Sequence, residues 1–184
     1  MRHLVILLEE PSAQDALQAW LPKWLPNEVT PHFIVFQGKQ DLEKRMVLRM
    51  RHWLQPNSRF LVLRDQDSGD CKAVKATLVA KCAEAGRPDA LVRVACRELE
   101  SFFVGDWQAV ANAYGKPALA RLARKAIYRD PDGLGSPSRE LVRHLPGYQK
   151  REGARLIAPA VDSDRNVSHS FHALRLAVSA LGTQ

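Results

Sequence analysis

Four apolar runs, each followed by a stretch of helical periodicity, predict an α/β domain built on a mainly parallel four-stranded sheet flanked by helices. Two further observations support that class. The runs are nearly continuous in apolar residues, as strands covered on both faces must be. Charged residues also follow the runs, at the carboxyl ends of strands where parallel sheets place their functional crevices. A length of 184 residues suits one full-sized domain with at most a small added lobe.

The first run, His3–Leu8, ends in Glu9 and Glu10. Pro11 and Ser12 then open a helix. Ser12 with Asp15 three residues on has the form of a capping box, and Ala16, Leu17, Trp20, Leu21 and Trp24 recur at helical spacing. The second run is His32–Phe36, preceded by Pro31 and left through Gln37-Gly38-Lys39. Asp41 opens the next helix, with Leu42, Met46, Met50, Trp53 and Leu54 on its apolar face. The tryptophans lie in the apolar stripes and read as core. Phe60–Arg64 is the third run and Cys71–Glu84 its helix. Leu91–Ala95 is the fourth, followed directly by a helix from Arg97 whose stripe is Leu99, Phe102, Phe103, Val110 and Tyr114. Glu98 and Glu100 flank that stripe on opposite sides, so one of them faces the strand ends.

This organisation places the α/β domain at residues 1–115. Residues 116–184 form a basic, loop-rich, helical C-terminal extension packed on the same domain: a basic helix over Pro117–Tyr128, a Pro/Gly-rich stretch containing Gly147-Tyr148-Gln149-Lys150, and a last helix over Ser168–Leu181. The net charge of +7 resides mostly in residues 116–165, a surface that suits either a phosphate backbone or plain solvation. No run is long enough to span a membrane, and the short apolar N-terminal run reads as a strand, not a secretory signal. Three cysteines with no C-x-x-C spacing suit small buried hydrophobes in a reducing cytoplasm.

The chemistry concentrates in Arg64-Asp65-Gln66-Asp67-Ser68-Gly69-Asp70. Carboxylates this close repel one another unless a cation or proton offsets them, and oxygen clusters of this kind bind hard divalent cations. Alternatively, Asp65 and Asp67 are solvated turn residues and Asp70 is a helix cap. An EF-hand loop is excluded, because Gly69 is fifth where the glycine belongs sixth and Ala76 stands at the twelfth position. His169 and His172 share a helical face but have no third ligand in view. Three enzyme classes place acids at parallel strand ends. A receiver domain would use Asp65 as phosphoacceptor, but Arg97 and glutamates stand where its late lysine belongs. A haloacid-dehalogenase-type phosphatase needs D-x-D on the first strand. The Toprim arrangement has a glutamate after the first strand and D-x-D after the third, as here.

The segments Leu7-Leu8-Glu9-Glu10-Pro11-Ser12-Ala13, Gly38-Lys39-Gln40-Asp41-Leu42, Arg64 to Cys71, Cys96-Arg97-Glu98-Leu99-Glu100-Ser101-Phe102, Tyr148-Gln149-Lys150 and Ser168-His169-Ser170-Phe171 resemble a bacterial family of unknown function. That family is itself similar to the Toprim domains of topoisomerases, primases and the overcoming-lysogenization-defect nucleases. The resemblance implies a Toprim-like, Rossmann-like fold and Mg²⁺- or Mn²⁺-dependent cleavage or nicking of nucleic acid. Glu9 would act as acid/base, and Asp65 and Asp67 as metal ligands. Asp70, Glu98 and Glu100 are further candidate ligands, and Lys39 and Arg97 further candidates at the reacting phosphate. Arg121, Arg124, Lys125 and Lys150 are candidates for the nucleic-acid backbone. Where Toprim domains carry a glycine after the glutamate, this chain has Glu10, which limits how closely backbone and phosphate approach. The alternative is a non-catalytic, metal-stabilised module that binds nucleic acid or a separate ATPase, since the chain has no Walker motif.

Overall fold

The computed structural model describes residues 2–183, the side chains of 182 and 183 excepted. β1 (Arg2–Leu8), β2 (Val29–Val35), β3 (Ser58–Asp65) and β4 (Leu91–Ala95) form a parallel sheet in the order β2-β1-β3-β4. Helices α1 (Pro11–Trp24), α2 (Lys39–Arg51) and α3 (Cys71–Glu84) connect successive strands. α4 (Glu100–Val104) and α5 (Trp107–Ala113) follow β4, and α6 (Pro137–His144), α7 (Lys150–Ile157) and α8 (His169–Thr183) belong to the extension. The α/β class with a four-stranded parallel sheet flanked by helices is therefore the fold of this chain.

Successive side chains of a strand point to opposite faces, and here they supply two cores. Leu4, Ile6 and Leu8 of β1 with Leu61 and Leu63 of β3 face α1, α4, α5, α7 and α8, together with Trp20, Phe102, Phe103 and Phe171. Val5, Leu7, Phe60 and Val62 face α2 and α3, with Leu42, Met46, Met50, Leu78 and Cys82. The extension contributes Leu141, Ile157, Leu174 and Val178 to the first core. Its attachment is also polar: the Trp20 indole N–H donates to the Ala158 carbonyl at 2.9 Å, Arg151 and Arg155 both bond Asp15, and Arg165 bonds Asp106.

Several local expectations are corrected. α1 has no capping box, because Ser12 donates to Glu10 at 2.6 Å and Asp15 turns to the two arginines of α7. β2 begins at Val29, earlier than His32; it is an edge strand, where the missing N–H of Pro31 costs no ladder bond. α2 starts at Lys39 because Gly38, at φ +96°, caps it, and Asp41 reaches back to accept from the Gln37 N–H at 3.1 Å. Since α2 ends at Arg51, Leu54 lies beyond it and is 91% exposed, while Trp53 is half-buried and donates to Ser58. The stretch after β4 turns through residues 96–99 before α4 begins, and Asp106 caps a separate α5. The expected helix over Pro117–Tyr128 is two 3₁₀ segments, Pro117–Arg124 and Ala126–Tyr128. Leu119 and Leu122, three residues apart, eclipse in 3₁₀ geometry and seat together.

A split carboxylate cluster as candidate active site

The alternation that builds the two cores continues past the strand ends and sorts the acids. Glu9 and Arg64 follow the parity of Val5, Leu7, Phe60 and Val62, and they meet α2. Glu10 and Asp65 follow Leu8 and Leu63 toward the extension.

On the α2 side, Glu9 Oε2 accepts the backbone N–H of Asp65 at 3.2 Å and lies 3.8 Å from Arg64 Nε. The buried Arg64 guanidinium bonds Glu43 from α2. Asp67, held at φ +56° in the turn after β3, forms a 2.9 Å ion pair with Lys39. Its own N–H donates to the Arg97 carbonyl at 3.0 Å, and that of Gln66 to Ala95 at 2.9 Å, so the turn is fastened to the end of β4. Burial, and then the charge of Asp67, raise the pKa of Glu9 above the usual glutamate value. The hydrogen bond and charge of Asp67 raise that of Lys39, so the ammonium is held charged.

On the extension side, Lys150 Nζ lies 3.2 Å from Glu10 Oε1 and 3.9 Å from Glu100 Oε2. Glu100 has no exposed surface. Its Oε1 accepts from the Tyr148 hydroxyl at 3.3 Å, and its Oε2 has no hydrogen-bond partner. Burial pushes its pKa up to about 7 against the pull of Lys150. Asp65 is buried, and its carboxylate accepts no hydrogen bond among the described residues. Burial, then the charges of Glu100 and Glu10, hold its pKa well above the usual aspartate value. Burial opposes the charge on Lys150, but Glu100, Glu10 and Asp65 outweigh it and raise its pKa.

The fold thus brings together Glu9, Lys39, Asp65, Asp67, Glu100 and Lys150, with the Arg97 backbone beside Asp67. Asp70 caps α3, accepting the Ala73 N–H at 2.8 Å. Glu98 accepts the Ser138 N–H at 2.7 Å at the start of α6, so Glu100 is the one that faces the strand ends. Arg121, Arg124 and Lys125 are exposed on the first 3₁₀ segment and its cap, which packs on α5, and make no ion pair with the strand-end acids among the described residues. His172 bonds the Asn166 carbonyl and His169 is exposed. Sequence reasoning passed over four neighbours: Arg64, Glu43, Tyr148 and the charge partnership of Glu10. The Gly147-Tyr148-Gln149-Lys150 segment was the available signal for two of these contacts. Gly153 is required beside it, since a Cβ there would lie 2.1 Å from the Tyr148 ring.

Among the described residues, no three His, Cys, Asp or Glu side chains converge closely enough to enclose one ion. A cavity of about 450 Å³ lies at the opposite end of the strands, lined by Arg2, His3, Trp53, Arg59 and Arg87 among others and, among the described residues, by no carboxylate.

Fold and site together define a parallel α/β domain with a carboxylate cluster at the carboxyl ends of its first and third strands. The chain belongs to the family described as Domain of unknown function (DUF4276), which matches residues 8–178 and so spans both halves of the cluster. No curated protein and no solved structure matches it. Among the described residues, no helix is long and apolar enough to cross a membrane.

Proposed function

We propose that the cluster is a Toprim-like site for Mg²⁺- or Mn²⁺-dependent cleavage of phosphodiester bonds in nucleic acid. One observation carries the reading: Asp65 is a buried residue whose carboxylate accepts no hydrogen bond among the described residues, set among the charges of Glu100, Glu10 and Glu9 with Lys150 opposing them. Lys150, shared with Glu10 and Glu100, offsets this negative charge in part, and a bound cation would complete the compensation. The donor set is all oxygen and suits a hard ion. Mg²⁺ characteristically takes one or two carboxylates and completes its shell with water and substrate phosphate, so a closed three-carboxylate cage is not required.

In this reading Asp65 and Asp67 hold the metal. When bound, the metal stabilises charge on the attacked phosphate and lowers the pKa of a coordinated water. Glu9, oriented by the Asp65 N–H and raised in pKa by burial and Asp67, accepts and returns the proton. Lys39 would pair with a phosphate oxygen in place of Asp67, and Lys150 and Arg97 would supply further positive charge. Arg121, Arg124 and Lys125 follow the backbone further out.

The test is incubation of pure protein with supercoiled plasmid and with RNA in Mg²⁺, Mn²⁺ or EDTA. Cleavage that requires metal and is lost in Glu9→Gln supports the reading. Silence in every metal overturns it. One observation favours a second reading, a non-catalytic module for nucleic acid or an ATPase partner: Lys39 and Lys150 already neutralise Asp67 and Glu10 without metal. Salt-dependent nucleic-acid binding without cleavage would select that module.

A further inference from the structure

Of the three cysteines, Cys82 is buried alone in the second core, while Cys71 and Cys96 are half-buried with their Sγ atoms 3.5 Å apart. From their placement we infer that Cys71 and Cys96 are a redox-active dithiol, a site of covalent modification by low-molecular-weight disulfides such as oxidised glutathione. A disulfide bond is about 2.05 Å long, so closure requires the sulfurs to approach by roughly 1.5 Å, within reach of side-chain rotation. The backbone joint is already made. The turn that leads into Cys71 donates from Gln66 and Asp67 to the carbonyls of Ala95 and Arg97, the residues on either side of Cys96.

Location gives the pair its consequence. Cys71 opens α3 directly after the turn that carries Asp65, Asp67 and Asp70, and Cys96 directly follows β4, whose Ala95 pairs with Asp65 in the sheet. The bond therefore fastens the far end of the acidic turn to the neighbouring strand.

The reaction is balanced by the small disulfide alone. One cysteine thiolate attacks a sulfur of the oxidised reagent, forming a mixed disulfide and releasing one small thiol. The second cysteine attacks the protein sulfur of that intermediate and releases the other small thiol. Two protein thiols become one disulfide, and one small disulfide becomes two thiols that carry the two protons. In a reducing compartment such a bond is transient, as expected of a sensor.

The experiment equilibrates the full chain in glutathione buffers of increasing oxidised fraction, then alkylates and weighs it under denaturing conditions. Free thiols are expected to fall from three to one, with a peptide joining residues 71 and 96. Closing a loop across a sequence separation of 25 residues should raise the melting temperature by about 10 °C. Cys82→Ala should lose both of its remaining thiols to the same bond with a similar rise, and Cys96→Ser should stop at the mixed disulfide on Cys71 without the rise. Three free thiols on wild-type protein in the most oxidising buffer, a mixed disulfide that never closes, or a bond between two chains would each overturn the inference. None of these readouts depends on cleavage or on metal, so the dithiol stands or falls separately from the proposed activity.

Discussion

Glu9 and Glu10 are neighbours in the chain, yet each heads a different half of the carboxylate cluster. The Glu9 half is assembled within the first three strands and α2, and its partners Lys39 and Asp67 are partly open to solvent. The Glu10 half is closed by Tyr148 and Lys150 from the extension over a glutamate with no exposed surface. The difference follows from strand parity carried past the sheet edge, which sends each acid toward whatever covers its face of the sheet. One half is therefore ion-paired and, at Lys39 and Asp67, open to water. The other is desolvated, its carboxyl groups raised in pKa, and the extension covers it. The extension is part of the site because it supplies the seal.

The sharpest test of this contrast is paired substitution of the two glutamates. In the proposed reaction Glu9→Gln should lose about 10²-fold or more of the cleavage rate, the usual scale for a general acid/base. Glu10→Gln, which is hydrogen-bonded to Ser12 and paired with Lys150, should lose less than about tenfold. Equal losses in a plasmid-nicking time course would dissolve the distinction between the halves.

Next in size is the pH dependence set by Glu100. Its folded-state pKa of about 7 lies above the ordinary value of 4.5, so between those limits the folded protein keeps a proton that the unfolded chain has released. Stability accordingly falls as pH rises through that window and levels off above it. The contribution is on the order of 3 kcal/mol. Glu100→Gln should remove that slope, so the variant gains on wild type in urea unfolding as pH goes from about 4.5 to about 7. A wild-type-minus-variant difference that is flat with pH would show that Glu100 is ionised throughout.

Gly153→Ala probes the seal itself. Its Cβ would collide with the Tyr148 ring, and the displaced ring should cost about 1–3 kcal/mol, as overpacking generally does. The change should also lower the raised Glu100 pKa by admitting water, while the Glu9 half is left unaltered. A thermal-denaturation series against pH reads both effects at once. The smallest expected effect is that of Lys39→Met: the pair with Asp67 is partly exposed, so stability should change by less than about 1 kcal/mol even where cleavage falls.

Much of this organisation was legible in the sequence, for identifiable reasons. β4 and α3 have the bounds that the apolar runs and the Asp70 cap predict, because local pattern and tertiary demand agree there. The acids at strand ends were equally visible, as was the choice forced between Glu98 and Glu100. What the sequence hides is partnership across distance. Lys150 reaches Glu10 across 140 residues, and Tyr148 reaches Glu100 across 48, contacts that no periodicity encodes. Parity does separate Glu9 from Glu10, but the acids occupy both faces. Spacing likewise hides the cysteine pair, since Cys71 and Cys96 are 25 residues apart in sequence while their Sγ atoms lie 3.5 Å apart.

In the proposed site Asp65 and Asp67, set on either side of this divide, would hold a divalent cation. Calorimetric titration of Mn²⁺ into wild type and Asp65→Ala/Asp67→Ala, with melting temperatures taken alongside, tests it most directly. Saturable binding and a metal-dependent rise in melting temperature are expected for wild type. The double variant should be at least as stable as wild type without metal, because a buried repulsion has been removed, and unresponsive to Mn²⁺. The same Mn²⁺ affinity in both proteins would contradict it.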